Sequence, residues 1–258
     1  LFRSVSGSAD RAAGLPPADP ISNDQSFFMT PRDRILIVLG MPRSGTSFLT
    51  HSIELFDFTL PTDEQAPLSD HRDGAFEPRH IARLNDALLA RKGAWWGRIG
   101  PVAPLPDAAD MLRALDDSFG DAARIVIKDP RLGVLLPAWR PVLEQAGPVA
   151  ALIALRHPGE AATSLAKRNG IGTDAAYLVW VSYVLNALEH TEGMARILVL
   201  FPDWVDDIDH TLTRIASVTQ TAIPDHAAED IAARFRPDAV HGGQQFTASD
   251  PDIDLLAG

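Results

Sequence analysis

The sequence predicts an α/β domain of three layers, in which a central parallel sheet is covered by helices on both faces. Short apolar runs without polar alternation, such as 34–40 and 149–155, are typical of strands that are buried on both faces. Segments whose apolar residues have helical spacing separate these runs. Strands that alternate with helices in this way favour a parallel sheet.

Each predicted strand is a run of Ile, Leu, Val and Ala, and each predicted helix has apolar residues three or four positions apart. A helix is predicted over 134–145 although Pro137 and Pro141 lie inside it, where they either kink the helix or mark its starts. The predicted order is strand 34–40, helix 45–56, helix 78–92, helix 107–119, strand 124–127, helix 134–145, strand 149–155, helix 159–168, helix 173–192, strand 196–201 and helix 204–218.

The two ends of the chain differ in composition from the part between them. Residues 1–31 are rich in Ser, Gly, Ala, Asp and Pro, which predicts a linker or N-terminal extension. Residues 237–258 predict a loose C-terminal tail, so the folded domain is expected over 32–236. Because the chain starts at Leu1 rather than Met, we expect it to be part of a longer polypeptide with a domain upstream.

Composition excludes several classes of function. The chain has 258 residues, of which 46% are hydrophobic, enough to bury a sizeable core. It carries 34 acidic and 23 basic residues, and a net charge of −11 disfavours broad binding to nucleic acid. The absence of cysteine excludes disulfides and zinc–thiolate sites and fits a reducing compartment, so a cytoplasmic location is expected. No apolar run approaches the ~18–20 residues of a membrane span.

The segment GMPRSGTS at 40–47 lies between a predicted strand and a predicted helix. Backbone N–H groups at such a helix start form an anion site, and Gly45 allows close approach of a phosphate. A standard phosphate loop has a lysine where Thr46 stands, which disfavours an ordinary ATPase or kinase. We predict that the phosphate-binding residues of this loop are Arg43, Ser44, Gly45, Thr46 and Ser47.

Two further strand ends carry cations. Lys128 follows the strand at 124–127, and Arg156 follows the strand at 149–155, with Ser164 eight residues later. Ligands of open α/β sheets bind beyond the carboxyl ends of the strands. We therefore expect three cations to meet at one edge of an otherwise acidic protein, namely Arg43, Lys128 and Arg156.

These three motifs, in this order and each at a strand end, resemble those of the sulfotransferase family over residues 34–220. The resemblance implies a three-layer P-loop NTPase-like fold and 3′-phosphoadenosine 5′-phosphosulfate (PAPS) as donor, with no metal required. It implies that the 40–47 loop holds the 5′-phosphosulfate and that Arg156 and Ser164 hold the 3′-phosphate. The acceptor is expected to carry a hydroxyl or an amine, with a bacterial glycan or glycolipid as the implied class.

Sulfuryl transfer is similar to phosphoryl transfer in that positioning and charge neutralisation supply most of the catalysis. We expect Lys128 and Arg43 to stabilise the charge that develops on the leaving oxygen. Many members of the family have a histidine two residues after this lysine, whereas this chain has Pro130, so the general base must come from elsewhere. The candidates for the base, in order of preference, are Glu77, His71 and Asp70.

Two alternatives stay open. A divergent P-loop kinase or NTPase would use Asp129 to bind Mg²⁺ and would bind ATP only with the metal. A non-catalytic nucleotide-binding module of a larger enzyme would bind the nucleotide without turnover. The missing lysine at Thr46 counts against the first alternative.

Overall fold

The computed structural model describes residues 31–64, 74–97, 108–201 and 203–235, so the predicted tail and all but the last residue of the predicted N-terminal extension lie outside it. In chain order the elements are β1 (Arg34–Leu39), α1 (Thr46–Ile53), a 3₁₀ turn (Glu54–Phe56), α2 (Arg79–Arg91), α3 (Ala108–Phe119), β2 (Arg124–Lys128), α4 (Leu132–Ala146), β3 (Val149–Leu155), α5 (Pro158–Asn169), α6 (Thr173–His190), β4 (Ala195–Leu200), α7 (Asp203–Asp206), α8 (Ile208–Thr219) and α9 (Ala227–Arg234).

The strands of the described part form one parallel sheet in the order β2-β1-β3-β4. In the register of this sheet, Val38 of β1 pairs with Lys128 of β2, and Leu39 pairs with Ile153 of β3. The carboxyl ends of the strands therefore meet at one edge. This edge carries the 40–47 loop, Lys128 and Arg156, as the sequence predicts.

Successive residues of β1 face opposite sides of the sheet, and each side has its own core. Ile35 and Ile37 pack with apolar residues of α2 to α6, whereas Leu36 and Val38 pack with those of α1, α8 and α9. Both sets are fully or almost fully buried. Helices therefore cover both apolar faces of the sheet, and the predicted three-layer α/β fold is confirmed.

The two prolines of α4 do not interrupt the helix, which runs unbroken through both. Pro137 has no N–H to donate to the carbonyl of Gly133, four residues earlier. The side chain of Asn186 on α6 supplies the missing donor, since its Nδ2 lies 2.9 Å from that carbonyl oxygen. A neighbouring helix therefore satisfies the backbone group that the proline leaves unpaired.

The prediction is wrong in two places near the C-terminal end of the domain. The helix predicted over 204–218 is divided into α7 and α8, because Asp207 has a non-helical backbone with φ −146° and ψ 57°. Aspartate favours such positions over helix interiors. The second difference is α9, which has no counterpart in the prediction. Within the described ranges, every helix is too short or too polar to cross a membrane.

Candidate active site

The loop between β1 and α1 contains two residues in the left-handed backbone region. Arg43 has a φ of 80°, and Gly45, which precedes the first residue of α1, has a φ of 83°. Glycine adopts this conformation readily, whereas the Cβ of an arginine crowds the backbone there. Strained residues of this kind cluster at binding and catalytic sites, and this one lies inside the predicted phosphate loop.

Two glycines allow the loop to pack against the neighbouring strands. A Cβ at Gly40 would lie 2.6 Å from the carbonyl oxygen of Ala154 on β3, and a Cβ at Gly45 would overlap the ring of Phe201 after β4. From the sequence, we expect a glycine at position 45 because a phosphate must approach the backbone closely there. In the structure the ring of Phe201 already requires a glycine at this position, independently of any ligand.

The hydroxyl groups of the loop differ in their surroundings. Ser44 and Thr46 are buried, and the Ser44 N–H donates to the Met41 carbonyl at 3.1 Å. Ser47 is half-buried, and its Oγ donates to the carbonyl oxygen of Ala75 at 3.5 Å. Because the first N–H groups of a helix have no acceptor within it, the start of α1 at Thr46 adds backbone donors to this loop.

Arg156 follows β3 and is buried against the phosphate loop. Its Nε lies 2.9 Å from Oε2 of Glu160, and its Nη1 donates to the carbonyl oxygen of Arg43 at 3.3 Å. The guanidinium also lies 5.3 Å from the centre of the Phe201 ring. Glu160 is a partner that we did not predict; it lies in the first turn of α5, just after Arg156 in the chain.

Ser164 lies against the other cation of this region. The Nε of Arg43 donates to Ser164 Oγ at 3.0 Å. We expect Ser164 to act together with Arg156 on one phosphate, but the contact that the structure gives is with the loop arginine. Arg43, Arg156 and Ser164 nevertheless form one connected group, because Arg156 donates to the Arg43 carbonyl.

Lys128 is the last residue of β2, and only 3% of its surface is exposed. Its Nζ donates to the carbonyl oxygen of Ala75 at 3.0 Å and to Oε1 of Glu77 at 2.8 Å. The same Ala75 carbonyl accepts from Ser47 of the phosphate loop. The structure therefore brings together the predicted lysine, the first candidate for the base and the predicted phosphate loop.

Glu77 contacts a second cation that we did not predict to act at this site. The Nη1 of Arg131 lies 3.4 Å from Glu77 Oε2 and 2.9 Å from Asp129 Oδ1. The same guanidinium makes two further bonds to Asp86, of 2.5 and 3.0 Å. The sequence feature that could have indicated Arg131 as a site residue is its position, three residues after Lys128 and directly before α4.

Asp129 points into the core and its side chain is fully buried. Its Oδ2 accepts from Asn85 Nδ2 at 2.9 Å, and Asn85 in turn accepts from the indole N–H of Trp139 at 2.7 Å. Burial raises the pKa of the Asp129 carboxyl, an effect that the guanidinium of Arg131 opposes. Because Oδ2 is bonded to buried Asn85 and Oδ1 to Arg131, this fully buried carboxylate is poorly suited to the Mg²⁺ ligand role of the kinase alternative.

The two other candidates for the base, His71 and Asp70, lie outside the described residues. His157, which follows Arg156, is at the start of α5, where its Nδ1 accepts from the Gly159 N–H at 3.2 Å. Within the described ranges, no group of three or more His, Asp or Glu side chains is arranged to hold a metal ion.

The arrangement brings three cationic side chains to one edge of an acidic protein, two of them paired with a carboxylate, Lys128 with Glu77 and Arg156 with Glu160. Arg43, Lys128 and Arg156 lie at the carboxyl ends of adjacent strands, beside the 40–47 loop that leads into α1. Such a combination can bind an anion and neutralise charge that develops on it. Glu77, held between Lys128 and Arg131, is the one candidate for the base that falls within the described residues.

No model of a protein family matches the chain, and neither does the sequence of any curated protein. Solved structures do match it. The sulfotransferase domain of the olefin synthase from Synechococcus PCC 7002 has 18% identity and a TM-score of 0.47, covering 88% of this chain and 84% of that one. Sulfotransferase STF1 from Mycobacterium tuberculosis has 15% identity and a TM-score of 0.44, covering 80% and 72%. Mouse sulfotransferase SULT7A1, complexed with PAP, has 14% identity and a TM-score of 0.45, covering 83% and 68%. All three are sulfotransferases, the family that the motifs of this sequence resemble.

Proposed function

We propose that this protein is a sulfotransferase that moves a sulfuryl group from PAPS to a hydroxyl or amine acceptor. The observation that carries the proposal is the position of the Ala75 carbonyl, which accepts from both Ser47 and Lys128. A lysine that could neutralise charge on a leaving group therefore lies next to a loop that could bind a phosphate. Glu77, bonded to the same lysine, adds a carboxylate at the same point.

PAPS supplies an activated sulfuryl group and leaves as the desulfated nucleotide, 3′-phosphoadenosine 5′-phosphate (PAP). The residues of this chain fit such an anion, because the loop has a strained backbone at Arg43 and donors at the start of α1. In the proposal, Arg43 and the loop donors bind the 5′-phosphosulfate. Lys128 neutralises the oxygen on which charge develops, a role of the kind that preorganised cations play in group transfer.

A second anion subsite is assigned to Arg156 and Ser164, which would hold the 3′-phosphate. Both belong to the group of side chains that is connected through Arg43. The ion pair of Arg156 with Glu160 orients the guanidinium before the ligand arrives. The 3′-phosphate of the donor would therefore either displace the Glu160 carboxylate from the Arg156 guanidinium or share the guanidinium with it.

The acceptor group needs a base, and the proposal gives this role to Glu77, with His71 as the second candidate. Glu77 Oε1 contacts Lys128, and Oε2 contacts Arg131. An acceptor hydroxyl must therefore approach a carboxylate that two cations hold in place. The carbohydrate hydroxyl stays an expectation from the family resemblance, and the cytoplasmic location stays an expectation from the absence of cysteine.

The decisive experiment is a calorimetric titration of the chain with PAP, AMP and ATP, followed by measurement of PAPS turnover. We expect PAP to bind much more tightly than AMP or ATP, since only PAP presents both a 3′- and a 5′-phosphate. Equal affinity for AMP would remove the case for a 3′-phosphate subsite. Tight binding of PAP without any turnover of PAPS, across a panel of sugar, phenol and amine acceptors, would instead favour the non-catalytic module.

A further inference from the structure

The segment that leads into α2 contains a bulky residue in a conformation that bulky residues rarely adopt. Phe76 has a φ of 54° and is buried. An aromatic residue in the left-handed region is a genuine outlier, because its Cβ crowds the backbone. Such strain persists only where neighbouring contacts hold it, and it is found mainly at functional sites.

The strained residue separates the two groups that hold Lys128. The carbonyl of Ala75, just before Phe76, and the carboxylate of Glu77, just after it, both accept from Lys128 Nζ, at 3.0 and 2.8 Å. In an extended chain, backbone carbonyls point sideways along the hydrogen-bonding direction, whereas side chains project to the two faces, so a carbonyl and a side chain do not converge on one point. The left-handed turn at Phe76 is what allows a backbone carbonyl and the side chain two residues later to meet at one ammonium group.

Glu64 makes the contact that holds this turn. Its Oε1 accepts from the Phe76 N–H at 2.7 Å, and Glu64 also pairs with Pro78 in an antiparallel bridge. The fit is close, since a Cβ at Gly74 would lie 2.6 Å from the same carboxylate oxygen. The ring of Phe76 stacks on His51 of α1 at 4.8 Å between centres, which supports the turn from its other side.

We propose that Glu64 is a positioning residue, which fixes the left-handed turn at Phe76 and thereby holds the Ala75 carbonyl and the Glu77 carboxylate on Lys128. Glu64 acts through the backbone and touches neither substrate nor reacting atoms. Its catalytic importance rests on the proposed function, because only there does Lys128 act on the leaving group. Its structural effect on Lys128 is measurable without any substrate.

The chain offers a direct probe, since it has only three lysines, Lys92, Lys128 and Lys167. In the full chain labelled with ¹⁵N-lysine, an ammonium group held by Ala75 and Glu77 exchanges its protons slowly with water. We expect a sharp ¹⁵Nζ–¹H signal from Lys128 at neutral pH, assigned by its loss in Lys128→Met. Lys92 and Lys167 are exposed, so their ammonium protons exchange rapidly with water and should give no sharp signal under the same conditions.

Two variants disturb the Glu64 contact by independent routes. Glu64→Ala removes the acceptor, and Gly74→Ala displaces it by placing a Cβ against Oε1. We expect both to broaden the Lys128 ammonium signal and to leave the backbone ¹⁵N–¹H signals of Lys92 and Lys167 unchanged. Glu64→Gln keeps an oxygen acceptor and should retain the signal. Gly120→Ala is the matched control for Gly74→Ala, because Gly120 also has a positive φ but a Cβ there meets nothing within 4 Å.

The activity readout is the single-turnover conversion of PAPS to PAP and sulfate, with water as acceptor of the sulfuryl group. We expect Glu64→Ala to lower this rate about 10- to 100-fold, the scale for misplacing a catalytic group by about 1 Å, while the Kd of PAP changes less than about twofold. An unchanged Lys128 signal in a folded Glu64→Ala or Gly74→Ala would overturn the proposal. If the parent chain neither binds PAP nor converts PAPS, the proposed function fails, and the lysine spectra still decide the role of Glu64.

Discussion

Lys128 and Glu77 form an ion pair at the carboxyl edge of the sheet, with Nζ 2.8 Å from Oε1 and 4% of the lysine side chain exposed. The two residues are 51 positions apart in the chain. Glu77 also contacts Arg131, so it keeps one cationic partner if the lysine is removed. A variant of Lys128 therefore tests the ammonium group itself rather than the folding of the segment around Glu77.

We expect Lys128→Met to lower kcat for sulfuryl transfer about 10²-fold or more, the scale for losing one preorganised charge stabiliser. The affinity for PAP should fall much less, because a group that acts mainly in the transition state changes turnover more than ground-state binding. Single-turnover rates and calorimetry on the same variant separate the two effects. Lys167→Met, which changes a lysine away from β2, is the control.

Glu77→Gln is the companion variant and should also lower kcat if Glu77 is the base. A Lys128→Met protein that binds PAP poorly but turns over normally at saturating donor would contradict the leaving-group role. The lysine would then serve the nucleotide instead.

The second prediction concerns metal. Arg43, Lys128 and Arg156 supply the positive charge at this edge, and Asp129 is engaged with Asn85 and Arg131. We expect PAP binding and PAPS turnover to be the same in EDTA and in Mg²⁺. Calorimetry and turnover after exhaustive chelation check this. An activity that EDTA abolishes and Mg²⁺ restores would favour the kinase alternative.

Local patterns in the sequence were sufficient for the sheet and for the site edge. The strands are apolar on both faces, and Lys128 and Arg156 could be placed because each follows such a strand. α9 was missed although it carries usual signals, with Glu229 and Asp230 in its first turn and Arg234 in its last. Its apolar face is short, with Ala227 and Ile231 as its buried residues, so the spacing of apolar residues does not distinguish a helix from a loop there.

The pairings within the site were beyond reach for a different reason. Glu77 and Lys128 were both candidates, but nothing local in either segment indicates that they touch, because the contact depends on the turn at Phe76. A phenylalanine gives no signal for a positive φ, whereas a glycine would. The pairing of Arg43 with Ser164 likewise depends on how β1 and β3 lie side by side.

The third prediction concerns Tyr183, one of the two tyrosines of the chain. Tyr183 is buried, and its hydroxyl contacts the carbonyl oxygens of Trp96 and Pro130 at 2.7 and 2.8 Å. Burial raises the pKa of the Tyr183 phenol far above its usual range. The folded state thus holds this proton more tightly than the unfolded state, so this contribution is complete below the unfolded pKa of about 10 and is lost as pH rises above it.

We expect the free energy of unfolding to fall by up to about 1.4 kcal/mol per pH unit above pH 10 through this residue, and Tyr183→Phe to lack that component. At neutral pH the same variant should lose about 0.5–1.5 kcal/mol, the net scale of an ordinary hydrogen bond, because the Pro130 carbonyl still accepts from the Gly133 N–H at 3.1 Å. Urea unfolding of both proteins at a series of pH values measures the two effects. Identical pH dependence in the two proteins would contradict the assignment.

The last prediction separates the two anion subsites. Arg156 and Glu160 form a largely buried pair, with 7% and 10% of their side chains exposed. Arg156→Ala alone is a poor test, because it leaves the Glu160 carboxylate without its arginine partner, and breaking a buried pair destabilises a protein by about 3–5 kcal/mol. The double variant Arg156→Met with Glu160→Gln removes both charges and keeps similar side-chain volumes.

We expect the double variant to bind PAP more weakly by roughly 1.5–3 kcal/mol, the range for hydrogen bonds that involve charged groups. Its affinity for AMP should barely change, since AMP lacks the 3′-phosphate. Glu160→Gln alone keeps the guanidinium and removes its competitor, so this control should bind PAP at least as tightly as the parent chain. Calorimetric titration of the three proteins with both nucleotides gives the comparison. If the double variant loses affinity for PAP and AMP equally, Arg156 supports the phosphate loop through the Arg43 carbonyl and does not read the 3′-phosphate.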